Sequence, residues 1–216
     1  MNDPTTTHFS TSFPLHHLEI DGILVTYENN PSFLAKHFSK ADQKKFQDLL
    51  HQALIHPKKA YQSALNWKKE EKAIPELDNL LTYLHLRNRQ VHKAETLIQE
   101  SYKAYPDYFF AKINYADQCL RKKRVDQIPL IFSSFDLRKL FPDKKSFHVS
   151  EFRGFMTLMS HYHFFLKDLV SAKKYYQNAY EVDPTHPSVI FLEKIVHHQH
   201  FLKKFFHKIL KLAHIS

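Results

Sequence analysis

Histidine is the residue type that most invites a chemical hypothesis, because the chain of 216 residues contains 17 of them. Two histidines three or four residues apart on a helix can share a zinc ion, and His197 and His200 have this spacing. The sequence has no HExxH motif, and Glu193 is the one acid near these histidines. Two ligands on one helix leave a zinc site incomplete, so we expect no bound metal. The densest groups are His197, His198, His200 and His207, and the pair His161 and His163.

Nucleophilic and cofactor chemistry are equally poorly supported by the sequence. Cys119 is the single cysteine, so an internal disulfide and a CxxC zinc pair are excluded, and a lone cysteine is usually a small buried apolar residue. Gly22 and Gly154 are the only glycines, which excludes the glycine-rich loops that bind phosphate. The GxSxG motif is absent, and nothing selects one carboxylate pair among the 22 acids. We therefore expect a protein without catalytic activity and without a cofactor.

The formal net charge of +9 is concentrated in the second half of the chain. Residues 1–108 contain 13 Lys or Arg and 13 Asp or Glu, whereas residues 109–216 contain 18 and 9. A basic half can attract nucleic acid, anionic lipid or an acidic protein, and it can equally be a solvated surface. The cluster from Arg121 to Arg124 has no aromatic residue within it, which disfavours nucleic acid.

The compartment is inferred from what the sequence lacks. No apolar run reaches the roughly 20 residues that span a bilayer, and the N-terminus lacks the basic and apolar pattern of a secretion signal. The single cysteine is typical of a reducing compartment. We expect a cytoplasmic protein, and the Ser/Thr-rich leader leaves open a non-cleaved delivery signal of another kind.

These side chains must be positioned by helices, since a chain with two glycines is poorly suited to the tight turns of β-rich folds. The predicted fold is all-α with a small N-terminal β-hairpin, whose turn is the Asp21-Gly22 pair between two β-favouring runs. Residues 1–14 form a leader expected to be flexible. Residues 15–74 contain the hairpin and a helical pair, and residues 41–72 of this pair are a possible degenerate repeat.

From Pro75 onward, apolar residues at helical spacing predict helices in pairs. Asp126 is expected to cap the fourth of these helices and Ser150 the fifth. Between the fourth and fifth lies a looser stretch, Phe135 to Val149, which contains Pro142 and several lysines.

Proline stops recur along residues 75–186. They are Tyr105-Pro106-Asp107, Phe141-Pro142-Asp143 and Val182-Asp183-Pro184. The helices that precede the first and third of these stops share one pattern: a small residue, a large apolar residue, a small residue and proline. The two examples are Ala94-x3-Ile98-x2-Ser101-x4-Pro106 and Ala172-x3-Tyr176-x2-Ala179-x4-Pro184. This pattern resembles the second helix of the tetratricopeptide repeat, whose period is 34 residues. In that register the repeats begin near Pro75, Phe109 and Arg153, and the middle repeat departs most, with Ile128 where a small residue is expected.

The resemblance implies an α-solenoid of about three to four helix pairs, with a concave groove lined by the first helix of each pair. The implied groove residues are Glu76, Asn79, Tyr83, Leu86, Phe110, Ile113, Asp117, Leu120, Gly154, Thr157, His161 and Phe164. The lysine and asparagine of the family's carboxylate clamp are missing at the matching positions, so recognition of chaperone tails is not expected. The groove would hold a peptide segment of an unidentified partner protein, as an adaptor does, or a client segment, as a secretion-type chaperone does.

Residues 187–216 are predicted to form a C-terminal capping and basic amphipathic helix. No acid follows Glu193. One face would carry Leu202, Phe205, Phe206, Ile209, Leu210 and Ala213, and the other Lys203, Lys204, His207, Lys208, Lys211 and His214. This segment can cover the last repeat, lie on a membrane surface, or dock on a partner, with Lys203, Lys204, Phe205, Phe206, Lys208 and Lys211 as contact residues.

Overall fold

A computed structural model describes residues 17–28, 38–70 and 74–196. Within these ranges the protein is mostly helical, with a small three-stranded sheet. The predicted leader at residues 1–14 and the basic amphipathic segment after residue 196 lie outside the described residues. The latter includes Lys203, Lys204, Phe205, Phe206, Lys208 and Lys211.

Helices form most of the described chain, and we number them in chain order. They are α1 (Lys40–Ile55), α2 (Pro57–Glu70), α3 (Pro75–Arg87), α4 (Val91–Ala104), α5 (Phe109–Arg121), α6 (Ile128–Ile131), α7 (Leu137–Leu140), α8 (Val149–Phe165), α9 (Leu169–Val182) and α10 (187–196). The helices α3 and α5 begin at Pro75 and Phe109, the residues at which the sequence pattern starts two repeats. Where the pattern predicts one second helix for the middle unit, the chain forms a 3-10 turn at Val125–Gln127 and the short helices α6 and α7.

From α1 to α5, each helix packs against the next helix in the chain. Helix α5 also contacts α8, and α8 packs on α9. Small residues lie where the helices cross. Ala94, Ala116, Ser160 and Ala172 are each fully buried, and the Ser160 hydroxyl donates to the Ala172 carbonyl at 2.7 Å. Since a larger side chain at these points would push the helices apart, this packing depends on the small residues of the sequence pattern.

Two apolar clusters form the core. The smaller one lies among α1, α2 and α3, where the rings of Phe38, Phe46 and Trp67 are in contact. The larger one extends from the sheet through α5 and α8 to α9 and α10. At its centre the Phe155 ring lies 5.8 Å from that of Phe109 and 5.4 Å from that of Phe132.

The predicted hairpin is confirmed. Strands β1 (His17–Ile20) and β2 (Ile23–Thr26) pair antiparallel, and Asp21 and Gly22 both have positive φ, at 50° and 74°. Two positive φ values in a two-residue loop match the right-handed twist of the strands, which is why Asp-Gly is favoured there. Strand β3 (Ser146–His148) then pairs parallel with β2, in the stretch that the sequence indicated only as loose.

The hairpin is fixed to α9 by polar contacts at both ends. The Asn178 amide donates to the Asp21 carboxylate at 3.1 Å, and the Lys174 ammonium lies 3.2 Å from it. These contacts hold the pKa of Asp21 below its usual value. The Tyr27 hydroxyl donates to the Val182 carbonyl at 2.8 Å. A two-stranded hairpin alone is marginal, so it is stabilised by α9 and by β3.

The turn that follows the first helix of each pair after Pro75 has the same conformation in all three cases. In α3, the N–H of Arg89 donates to the Leu86 carbonyl at 3.0 Å and that of Gln90 to the His85 carbonyl at 2.8 Å, which is a Schellman motif. The same two bonds close α5 and α8. A left-handed conformation costs an L-residue roughly 1–2 kcal/mol that glycine avoids. The residues that adopt it are Arg89 (φ 59°), Lys123 (φ 58°) and Lys167 (φ 63°).

A second kind of turn separates the pairs, at the predicted proline stops. Tyr105, Phe141 and Asp183 each end a helix with ψ of 65°, 69° and 73°, and each precedes a proline. A residue before proline is pushed out of the helical region by the proline ring, so the helix ends there. The three predicted stops are therefore confirmed as helix ends.

The two predicted caps are wrong. Asp126 lies in the 3-10 turn Val125–Gln127 rather than at the start of a helix. Helix α8 is capped by His148 instead of Ser150: the Ser150 N–H donates to the His148 imidazole at 3.3 Å, and the His148 N–H donates to Glu151 at 3.0 Å. Glu151 can complete this reciprocal box only with the residue three positions before it, which is His148.

Candidate functional site

The first helices α3, α5 and α8 lie side by side and point in the same direction. Across their middles, the Asn114 amide donates to the Asn79 amide oxygen at 2.8 Å, which joins α5 to α3. The side chain of Ile113 lies against Gly154, where an added Cβ would be 3.5 Å from the isoleucine Cδ1. At their N-terminal ends, burial raises the pKa of the Tyr108 hydroxyl, and the carboxylates of Glu76 and Glu151 add to this rise. The N-terminal ends of the three helices are therefore neighbours.

The structure distributes the predicted groove residues between surface and core. Tyr83 and Leu86 are exposed, at 38 % and 45 % of their full areas. Glu76, Ile113 and Leu120 are buried, so these three residues pack the interior and cannot form a groove surface. The close approach of α8 to α5 at Gly154 covers Ile113. The half-buried members are Asn79, Phe110, Asp117, Thr157, His161 and Phe164.

His161 connects the surface of α8 with its neighbours on both sides. Its ring centroid lies 5.3 Å from that of Phe165 and 6.4 Å from that of Phe191 on α10. Burial lowers the pKa of His161, and the Asp117 carboxylate on α5 opposes this shift. An imidazole with a pKa below 6.5 is mostly neutral at pH 7, so His161 adds hydrogen-bonding capacity here with little charge.

Sequence reasoning missed three members of this surface: Asn114, Phe165 and Phe191. The last two are exposed at 38 % and 59 %. Asn114 and Phe165 each follow a predicted groove residue by one position. The accessible side of α5 and α8 is therefore rotated by about one residue from the side that the repeat pattern implies. Phe191 lies in the segment interpreted as a cap, and α10 does bury Val189, Leu192 and Val196 in the larger core.

We call the accessible side chains along α3, α5 and α8, together with Phe191 of α10, the first-helix face. It is mainly aromatic and apolar, with amide groups and one carboxylate placed among the rings. Apolar surface with a few polar groups is typical of sites that bind peptides or small molecules. Its residues are Asn79, Tyr83, Leu86, Phe110, Asn114, Asp117, Thr157, His161, Phe164, Phe165 and Phe191.

A depression of about 390 Å³ lies on the other side of α3, between α2 and α4. Two of its polar groups are engaged: the Lys68 ammonium lies 2.6 Å from the Asp78 carboxylate, and the His85 imidazole bonds Gln90 at 2.8 Å. The lining residues are Leu65, Lys68, Leu81, His85, His92, Lys93, Thr96, Leu97 and Glu100.

The basic cluster from Arg121 to Arg124 is partly neutralised. Arg121 lies 2.9 Å from Asp117 and 3.3 Å from Glu95, and Lys122 lies 2.9 Å from Glu95. The guanidinium of Arg124 is 5.9 Å from the Tyr115 ring centroid. The fold thus supplies one aromatic partner that the sequence of the turn itself lacks.

The candidate reactive groups are located away from the first-helix face or lack partners for chemistry. Cys119 is fully buried, and burial raises the pKa of its thiol, which keeps it protonated. Among residues 17–28, 38–70 and 74–196, no three His, Cys, Asp or Glu side chains converge as a metal site would require. In the same ranges, no helix is both long and apolar enough to span a bilayer.

Comparisons of the chain with models of protein families, with curated proteins and with solved structures found no match.

Proposed function

We propose that this protein is a tetratricopeptide-like α-solenoid that binds a peptide segment of a partner protein on the first-helix face, as a non-catalytic adaptor. The observation that supports it best is the set of accessible aromatic and apolar side chains on α3, α5, α8 and α10. Fold analogy alone does not establish a function, so the proposal depends on the chemistry of this surface.

The repeat assignment is supported by the two alternating kinds of turn. Counted from the predicted repeat starts at Pro75, Phe109 and Arg153, the left-handed residue is the fifteenth of every unit. Arg89 and Lys123 are 34 residues apart, which is the tetratricopeptide period. Lys167 follows Lys123 by 44 residues, because the middle unit includes α6, α7 and β3. A turn repeated at the same place in three units is expected of a solenoid.

The side chains of the first-helix face favour a peptide over a small molecule. Exposed rings and aliphatic groups extend across four helices, and neighbouring packed helices are about 8–10 Å apart. A surface of this length suits an extended or helical segment with several apolar anchors. The Asn79 amide N–H groups and the Asn114 amide oxygen, which the bond between these two residues leaves available, can bond peptide groups between the anchors.

The test compares two tyrosines of similar exposure on different helices. Tyr83 belongs to the first-helix face at 38 % exposure, and Tyr180 on α9 is the matched control at 42 %. Random 12-residue peptides displayed on phage are selected on the full chain, and their affinities are measured by fluorescence polarisation. We expect Tyr83→Ala to weaken the selected peptides roughly tenfold, because an aromatic anchor contributes about 1–2 kcal/mol.

Tyr180→Ala is expected to leave the affinities within a factor of two, and urea unfolding curves will show that both variants fold. Selected peptides that bind wild type and Tyr83→Ala equally, or a library from which nothing is enriched, would refute the proposal.

A further inference from the structure

Exposed cations recur at equivalent places of the three units. Arg89, Lys123 and Lys167 are exposed, and each occupies the left-handed position after a first helix. None of the ion pairs among the described residues involves these three side chains. Within the part of the chain that the structure describes, the three turns therefore present unpaired positive charge to solvent.

These cations lie along a single edge of the molecule. Since α3, α5 and α8 are parallel neighbours, their C-terminal ends lie on the same side. Asp117 on α5 and His161 on α8 interact, and each is six residues before the left-handed residue of its own unit. Lys123 and Lys167 therefore lie at the same level of the two helices. We call this the basic edge. It consists of Arg87, Arg89, Lys123, Arg124 and Lys167.

Helix geometry does not require these residues. Cations in the last turn of a helix complement its dipole, and Arg87 and Arg121 already occupy such positions. The left-handed position lies beyond the last turn, and glycine or asparagine adopts its conformation with less strain. Strained residues of this kind cluster at functional positions.

The basic edge borders the first-helix face, because both are built from the same three helices. A segment that runs along the C-terminal side of this face, past Tyr83 and Phe165, therefore passes the three cations in order. Neighbouring helices are about 8–10 Å apart, and an extended peptide rises about 3.3 Å per residue, so every third residue meets a cation. Single-stranded nucleic acid stacks its bases on aromatic rings, and the Tyr115 ring centroid lies 5.9 Å from the Arg124 guanidinium. Because the first-helix face carries further rings, nucleic acid is the alternative that the test below separates from an acidic peptide.

We propose that the basic edge selects acidic partners: the segment bound on the first-helix face is an extended peptide in which Asp or Glu side chains, about three residues apart, pair with Arg89, Lys123 and Lys167. This inference rests on the proposed function, and it adds the chemical class of the partner.

The test uses glycine at all three positions, because glycine fits the left-handed conformation and keeps the turns intact. Random 12-residue peptides are selected on the wild-type chain, and their affinities for wild type and for the Arg89→Gly, Lys123→Gly, Lys167→Gly triple variant are measured. We expect the selected peptides to be enriched in Asp and Glu over the starting library. Their affinity should fall roughly three- to thirty-fold in the triple variant, as expected for three exposed ion pairs.

The control is the Lys69→Gln, Lys103→Gln, Lys173→Gln triple variant, which removes three exposed lysines from second helices and should bind these peptides as wild type does. Peptides that are enriched without acidic residues, or that bind the triple variant equally, would overturn this inference and leave the proposed function standing. A library that yields no binders refutes the proposed function, and this inference with it. A dT20 oligonucleotide that loses affinity in the triple variant while peptides do not would indicate nucleic acid instead.

Discussion

The two glycines of the chain are expected to respond in opposite directions to alanine. At Gly154, inside α8, an added Cβ would meet Ile113 atoms at 3.5 and 3.8 Å, which is ordinary van der Waals contact. Gly154→Ala should therefore raise the free energy of unfolding by about 0.5–1 kcal/mol, because glycine inside a helix is destabilising by that amount.

At Gly22, φ is +74° and an added Cβ would lie 3.2 Å from Arg138 Nη1. Arg138 is a flexible exposed side chain and can move, so the backbone conformation dominates the effect. The left-handed conformation costs an alanine roughly 1–2 kcal/mol, partly offset by the lower entropy of its unfolded chain. Gly22→Ala should therefore lower the free energy of unfolding by about 1 kcal/mol.

Urea unfolding followed by circular dichroism measures both changes. With a urea m-value of about 2–3 kcal/mol/M, the midpoint should rise by roughly 0.2–0.5 M for Gly154→Ala and fall by a similar amount for Gly22→Ala. Unchanged m-values would show that the unfolded state is the same. The reasoning is refuted if Gly154→Ala destabilises the protein, since the α5–α8 contact would then be tighter than described. It is equally refuted if Gly22→Ala is neutral, since the hairpin turn would then not require a positive φ.

Further predictions concern the α8 cap and three half-buried histidines. Glu151→Gln should lower the free energy of unfolding, measured in urea, by about 1–3 kcal/mol. The reason is that Glu151 is buried and accepts hydrogen bonds from the Lys144 ammonium at 2.7 and 2.8 Å. The control Glu181→Gln, at an exposed position of α9, should change the free energy of unfolding by less than about 0.5 kcal/mol. Burial lowers the pKa values of His148, His161 and His186 in the folded protein. As pH falls through about 6.5, these histidines take up protons in the unfolded chain before they do so in the folded protein, and the free energy of unfolding therefore decreases. Unfolding midpoints at pH 7.5 and 5.5 should show this loss, and His161→Leu should reduce it; a midpoint that rises on acidification would contradict the described burial.

Local signals were sufficient to predict the elements that local chemistry determines. Asp21 and Gly22 specify a tight hairpin turn whatever surrounds them. Each X-Pro stop ends a helix because the proline ring acts on the residue directly before it. The repeat starts predicted at Pro75 and Phe109 coincide with the first residues of α3 and α5, because the pattern of small, apolar and proline residues is set within each helical pair.

The features that sequence reasoning missed depend on contacts between distant segments. Strand β3 has three residues, too few to show an alternating pattern, and it exists because β2 lies beside it with Phe147 directed into the core. The N-cap of α8 is His148 and not the predicted Ser150, because β3 ends at His148 with extended backbone. The buried state of Ile113 follows from the closeness of α8 at Gly154, which no property of α5 alone reveals.

The scarcity of glycine does not by itself explain the basic residues at the left-handed turns. The chain uses glycine at Gly22, where the hairpin must turn, so glycine is available for a position that requires positive φ. It also carries asparagine, which tolerates this conformation, at Asn88, one residue before the left-handed Arg89. Arg89, Lys123 and Lys167 share a charge and an edge, and strained residues of this kind cluster at functional positions. The three cations therefore favour the proposed pairing with an acidic partner over a role limited to ending the helices.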